Sequence, residues 1–191
     1  MNDRMVMVTR PPLAAVLHAL AACKESVKWA ERYGSDWTTA LAACPRRDWL
    51  FWLYAELEIR GFLSREPLVL AACQCARAAL HRVPAGEERP LRAIETAEAW
   101  CRGEATLNEV SEALDAASAA AADAVTGAAT DAAFSAAAAA NAATAPDAVA
   151  ASEAARYGAA AATSDDAIVR REIGHHLLAG LDSFVAAGGA R

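Results

Sequence analysis

The sequence lacks the short motifs that usually mark a catalytic site. It contains no G-x-S-x-G nucleophile elbow, no G-x-G-x-x-G dinucleotide loop and no phosphate-binding loop. No cysteine or serine stands in a predicted turn beside a side chain that could act as its base. The residues therefore define no active site, and we expect a protein that binds a partner without catalysis.

Long uncharged apolar runs and disulfide-type cysteine spacings are also missing. Aspartates regularly interrupt the alanine-rich tract, so we expect no membrane span. Five irregularly spaced cysteines are typical of a chain made for a reducing compartment, which predicts a cytoplasmic protein. The formal net charge of -6 argues against general affinity for nucleic acid or for anionic membrane surfaces.

No stretch shows the alternation of apolar and polar residues that marks a half-buried strand, whereas helical spacing recurs along the whole chain. We therefore predict an all-α fold, a bundle of about seven to nine helices in a single domain over residues 1–191. A possible subdivision separates a core that contains the tryptophans and cysteines, residues 1–103, from an alanine-rich acidic lobe, residues 104–191.

Capping residues place several helix ends. One helix is predicted from Pro12 to Gly34, either Ser35 or Asp36 is predicted to cap the second, and Asp48 is predicted to cap the third. Thr106 and Glu109 form a capping-box pattern that starts a helix at residue 107. Residues 107–145 are predicted as one long helix or as a hairpin broken at 126–127, and Pro146 and Ser164 begin the last two helices.

Alanine fills 29 of the 51 positions from 113 to 163. Because alanine has the highest helix propensity, this stretch is predicted to fold as close-packed helices and not as a flexible linker. The larger apolar side chains that we expect to anchor the lobe are Val110, Leu114, Val125, Phe134, Val149 and Tyr157.

Negative charge is concentrated in the same lobe. Residues 1–102 hold 14 basic and 12 acidic side chains, a net of +2, and residues 103–191 hold 4 and 12, a net of -8. Such acids can simply keep an alanine-rich surface soluble, or they can bind a protein partner that has a basic surface. The candidate partner-binding residues are Glu104, Glu109, Glu112, Asp115, Asp123 and Asp131.

Cysteines and histidines supply the candidate metal ligands, with Cys73 and Cys75 as the one tight pair. Residues two apart on a helix diverge, and no second pair has a ligand spacing, so we expect buried thiols and no metal or other cofactor. The adjacent His175 and His176 are expected to face different sides of their helix. A metal-binding bundle or an enzyme that uses Cys and His remains an alternative.

The run "PRRDWLFWL", residues 45–53, is the most distinctive stretch of the sequence. Arg46, Arg47 and Asp48 could form a local recognition patch. The interpretation that we favour is a helix cap followed by two tryptophans in the core.

Several runs resemble a family of immunity proteins that is predicted to neutralise toxins of bacterial polymorphic toxin systems and that has relatives in phage genomes. The similar stretches are "ALAACKESVKWA", "ALAACPRRDWLFWL", "LVLAACQCARAAL" and "AIETAEAWCRGEATLNEVSEALDAASAAAADA", which lie within residues 13–144. Where members of the family tend to have Arg-Gly-Asp-Trp, this chain has Arg46-Arg47-Asp48-Trp49. The resemblance implies an all-helical cytoplasmic protein that acts by binding and supplies no catalytic residues.

Two binding functions agree with this resemblance. One is an inhibitor that blocks a toxin or a nuclease-like partner through the acidic helices. The other is a phage or mobile-element anti-defence protein that blocks a host nucleic-acid-targeting complex, for example as a nucleic-acid mimic. A self-associating structural module is a further alternative, and the sequence leaves the oligomeric state open.

Overall fold

Every regular element is helical in the computed structural model, which describes residues 10–162 and 166–189. The all-α prediction is confirmed. Short 3₁₀ turns at Glu31–Tyr33 and Leu80–Arg82 join some of the helices. The α-helices are α1 Leu13–Ala19, α2 Lys24–Ala30, α3 Trp37–Ala42, α4 Arg47–Ile59, α5 Glu66–Ala79, α6 Arg89–Cys101, α7 Leu107–Asp123, α8 Gly127–Thr144, α9 Ala148–Ala162 and α10 Asp166–Ala186.

The first predicted helix is divided in two, which takes the described part of the chain to ten α-helices. Ala21 has a φ of 61°, in the left-handed region that usually favours glycine. Its amide donates to the carbonyl of His18, and the amide of Ala22 donates to that of Leu17 at 2.9 Å, which closes the end of α1. Because an alanine holds this position, the usual glycine signal for a helix end is missing from the sequence.

The capping predictions have mixed outcomes. Asp36 accepts a hydrogen bond from the amide of Thr39 at 3.1 Å, and the capping box of Thr106 and Glu109 is complete. The cap at Asp48 is wrong, because α4 already begins at Arg47 and the Asp48 carboxylate binds the Arg46 guanidinium instead. The predicted cap at Ser164 lies outside the described residues.

Residues 107–145 form a hairpin of two helices. The backbone becomes extended from Ala124 to Thr126, and the Thr126 hydroxyl accepts from the amide of Ala129 to start α8. Helices α7 and α8 pack against each other along the hairpin. Of the two predicted alternatives, the hairpin broken at residues 126–127 is therefore correct, and the single long helix is not.

Helix α8 is the central element, since α5, α6, α7 and α9 all pack around it. Its buried side chains are those of Ser135 and ten alanines. The predicted anchors are wrong for four residues, because the exposed fractions of Val125, Phe134, Val149 and Tyr157 are 92%, 48%, 55% and 53%. Val110 is buried and Leu114 packs against the core as expected. Alanine methyls, not larger side chains, therefore fill most of the space around α8.

Helices α8 and α9 cross closely at Gly158. The Ser135 hydroxyl donates to the Gly158 carbonyl at 2.9 Å. A Cβ atom on residue 158 would lie 2.9 Å from the Cβ of Ala138 and 3.3 Å from the Ser135 carbonyl oxygen. The absent side chain therefore sets how closely the two helices approach.

The fully buried aromatic side chains lie on α3 and α4, and α10 adds the fully buried Ile173, Leu177 and Leu181. Trp37, Phe51 and Tyr54 are fully buried, and the Trp37 indole N–H donates to the Pro11 carbonyl at 3.0 Å. The buried Ser152 hydroxyl of α9 donates to the Phe51 carbonyl of α4 at 2.7 Å. This bond ties the alanine-rich helices to the aromatic part of the core.

Within the described ranges, no helix is long and apolar enough to cross a lipid bilayer.

The close crossing predicts opposite effects for two glycine-to-alanine substitutions. We expect Gly158→Ala to lower the free energy of unfolding by about 1 kcal/mol, because overpacking outweighs the better helix propensity of alanine. Gly174 lies inside α10, where an added Cβ atom would have open space around it, so Gly174→Ala should raise that free energy by roughly 0.5–1 kcal/mol. Urea denaturation of both variants measures the difference. A stabilised Gly158→Ala variant would contradict the close approach of α8 and α9.

Candidate binding surface

All six predicted partner-binding acids are exposed. Four of them, Glu109, Glu112, Asp115 and Asp123, lie on α7 and span about 120° of its circumference at about 100° per residue. Glu104 precedes α7, and Asp131 lies on the first turns of α8. One side of α7 therefore carries four of the six acids.

Three of the six acids already have a partner within the chain. Glu104 forms an ion pair with Arg102 at 2.7 Å, and Asp123 forms one with Arg89 at 3.0 Å. Glu109 accepts hydrogen bonds from the backbone amide and the hydroxyl of Thr106, at 2.7 and 2.8 Å. Exposed pairs of this kind add little stability, but they reduce the charge that is available to a partner.

The other three acids are uncompensated. Glu112, Asp115 and Asp131 make no ion pair or side-chain hydrogen bond with any described residue. Their full negative charges face solvent. Of the predicted residues, these three are therefore the best placed to meet a cationic group.

A groove between α6 and α7 gathers part of this charge. Its volume is about 460 Å³, and Glu109 and Glu112 on α7 face Glu95 on α6 across it. Alanines line the space between them, namely Ala99, Ala105, Ala113 and Ala116. Arg92 of α6 also lines the groove, so the carboxylates outnumber the cations three to one. Asp115, Asp123 and Asp131 are not part of its lining.

Sequence reasoning missed Glu95. Glu95 precedes the point at which the charge of the chain changes sign, and acids and bases are nearly balanced in that first half. The amphipathic pattern of α6 was available, because Ala93, Ile94 and Ala97 are buried and Glu95 falls on the opposite side. That pattern shows an exposed acid but cannot show that α7 lies beside it.

The cysteines and histidines do not converge. Among residues 10–162 and 166–189, no three His, Cys, Asp or Glu side chains lie close enough together to hold a metal ion. Cys44, Cys73 and Cys75 are buried thiols, and burial raises the pKa of Cys73. Contrary to expectation, the rings of His175 and His176 stand only 3.8 Å apart, and burial, followed by the charge of His175, lowers the pKa of His176.

No family model, curated protein or solved structure matches this chain. The similarity to the immunity protein family therefore stays a prediction. The functional interpretation rests on the charges and the geometry of the surface.

The capping box predicts a pH-dependent role for Glu109. Hydrogen bonds from the amide and then the hydroxyl of Thr106 lower the pKa of Glu109. A depressed folded-state pKa stabilises the fold above the unfolded-state pKa, and this contribution is lost as the pH falls through the folded-state value. We therefore expect Glu109→Ala to lower the melting temperature at neutral pH, and to change it much less in strong acid.

Glu112→Ala is the matched control, because Glu112 lies one turn later and makes no hydrogen bond to a described residue. The melting temperatures of both variants are measured by circular dichroism, from neutral pH to strong acid. Equal effects of the two substitutions at neutral pH would contradict the capping role.

Proposed function

We propose that this protein is a non-catalytic inhibitor that acts in the cytoplasm by binding a protein with a basic surface. The observation that carries the proposal is the groove between α6 and α7, in which Glu95 faces Glu109 and Glu112 across alanine. The uncompensated Asp115 extends the negative surface along α7.

The shape and chemistry of this groove suit lysine and arginine side chains. Their aliphatic stems can lie against the methyl groups of Ala99, Ala113 and Ala116, while their head groups reach carboxylates on either wall. Hydrogen bonds between a guanidinium and a carboxylate are stronger than those between neutral groups. Glu112 and Glu95 are both exposed and without an ion pair in the described chain, so neither has to break a bond first.

The charge of the whole lobe favours the same kind of partner. Arg156 is the single base among ten acids between Glu104 and Asp166. A surface of one sign raises the rate at which an oppositely charged protein associates, and added salt lowers that rate. Solubility alone would not require acids on both walls of one groove.

A nuclease-like toxin is the partner class that fits best. Enzymes that cleave nucleic acid present cationic grooves to phosphate, and carboxylates on a rigid helix would compete for the same groups. This agrees with the resemblance to immunity proteins. The alternative, an anti-defence protein that blocks a host nucleic-acid-targeting complex, uses the same chemistry, and the identity of the bound protein separates the two.

Charge reversal of the uncompensated acids on α7 tests the proposal. We expect Glu112→Lys with Asp115→Lys to weaken the complex by at least roughly tenfold, equivalent to about 1.4 kcal/mol, because attraction is replaced by repulsion. Glu109 is left unchanged, since it caps α7. The measurement is isothermal titration against purified products of the neighbouring genes, first with the unaltered chain.

Glu31→Lys with Glu88→Lys is the control. It makes the same change in net charge at two exposed acids outside the α6–α7 groove. We expect its affinity to remain near that of the unaltered chain. Equal losses in the two double variants would mean that net charge, and not the position of these acids on α7, governs binding.

A further inference from the structure

A second and larger cavity lies away from the acidic groove. It is a partly open cleft of about 940 Å³ between the start of α2, one side of α4 and the first half of α9. It shares no lining residue with the groove between α6 and α7. Its volume lies within the range of small-molecule sites, which often form between the helices of a bundle.

One wall of the cleft is aromatic. Trp49 and Trp52 stand one helical turn apart on α4, and both are only partly buried, unlike the fully buried Trp37. Both tryptophans of this run pack against the core as expected, but part of each side chain stays exposed. The Arg46 guanidinium lies 5.2 Å from the centre of a Trp49 ring, and Trp29 packs against Trp49 from within the core. Two partly exposed indoles in one cavity offer flat surfaces on which another ring can stack.

Hydrogen bonds support the walls of the cleft. The buried Ser152 hydroxyl donates to the Phe51 carbonyl, which holds α9 against α4. On the third wall, the Ser26 hydroxyl donates to the Cys23 carbonyl at 2.8 Å. A preformed cavity saves a ligand the cost of ordering it.

Both arginines that line the cleft are held by carboxylates. Arg46 binds Asp48 at 2.6 Å and Glu25 at 3.4 Å, and Arg156 binds Glu153 at 2.6 Å. Glu56 is bound by Arg60. The Lys24 ammonium differs from these groups, because it makes no ion pair with any described acid. Lys24 can therefore pair with a bound anion without first breaking an ion pair.

We propose that this cleft binds a planar aromatic anion, whose ring stacks on Trp49 and Trp52 and whose acidic group pairs with Lys24. The site is independent of the proposed inhibitor function, and either can fail without the other. The other charged side chains of the lining, two arginines and four carboxylates, are already paired, which limits the ligand to one negative group.

Cys23 provides a reporter inside the cleft. It is the one exposed thiol among the five cysteines, all of which lie in the described part of the chain. The Cys23 thiol donates to the Ser26 hydroxyl oxygen at 3.4 Å. Hydrogen bonding with the Ser26 side chain and then with its backbone lowers the pKa of Cys23, whereas burial raises the pKa of Cys101 to about 12. A thiol reagent at mildly alkaline pH should therefore modify Cys23 first, and a molecule in the cleft should slow that reaction.

Two related fluorescent probes separate stacking from charge. One is 1-anilinonaphthalene-8-sulfonate, and the other is N-phenyl-1-naphthylamine, which has the same rings without the sulfonate. We expect the sulfonate to bind the whole chain with a stoichiometry of one and to slow modification of Cys23. Lys24→Glu should weaken sulfonate binding by roughly fivefold to tenfold and leave binding of the neutral probe unchanged, since only the ionic contact is reversed.

Lys28→Glu is the matched control, because Lys28 is exposed one turn further along α2 and does not line this cleft. Trp52→Phe retains a smaller ring, so it should weaken the binding of both probes to a similar extent. Circular dichroism establishes that each variant is folded. The proposal is overturned if Lys24→Glu and Lys28→Glu affect the sulfonate equally. It is also overturned if neither probe slows the reaction of Cys23.

Discussion

The close approach of helices around α8 is the constraint on which the rest of the structure depends. A helix whose buried side chains are nearly all alanine offers each neighbour little apolar area, so stability requires short distances between axes and many weak contacts. The crossing of α8 and α9 at Ser135 and Gly158 is so close that it has no room for one added carbon atom. A hydrogen bond from the Ser135 hydroxyl to the Gly158 carbonyl joins the two helices there. Four helices meet this requirement at once.

Close packing also explains where the larger and the charged side chains lie. The rings of Phe134 and Tyr157 are too large for the space between helices that pack through alanine methyl groups, and both side chains are partly exposed to solvent. Acids on α7 are confined to its outer side for the same reason. Residues 104–166 hold ten acids and a single base, so most of the negative charge cannot be neutralised within the lobe. The negative surface is thus a consequence of an alanine core combined with a shortage of lysine and arginine.

Local signals in the sequence predicted local structure well. The side chains of Asp36, Thr106 and Thr126 each bind an amide three residues along the chain, so the residues that form the cap are also neighbours in sequence. The same kind of reasoning failed at Ala21, where a residue that does not signal a helix end takes a left-handed conformation between α1 and α2, which pack against each other. It failed again at Asp48, because Arg46 competes for the carboxylate.

Features that depend on two distant segments could not be predicted in this way. Glu95 joins Glu112 only because α6 packs beside α7, and Trp49 lines a cleft only because α9 forms another of its walls. Composition predicted that the alanine tract folds and that it is negative. It did not predict which residues carry the apolar contacts, because helical spacing alone does not distinguish a methyl-lined core from one built on Val125 and Phe134.

Native-state hydrogen exchange of the isolated protein tests the central claim most directly, namely that α8 is an ordered central helix held by close alanine contacts. The account predicts that amides of residues 132–143 exchange as slowly as those of α5, since both helices open only when the whole bundle unfolds. If these amides exchanged as fast as those of an unstructured chain while α5 stayed protected, the alanine-rich helices would not be a folded core. The acidic groove, which depends on them, would then have no fixed shape.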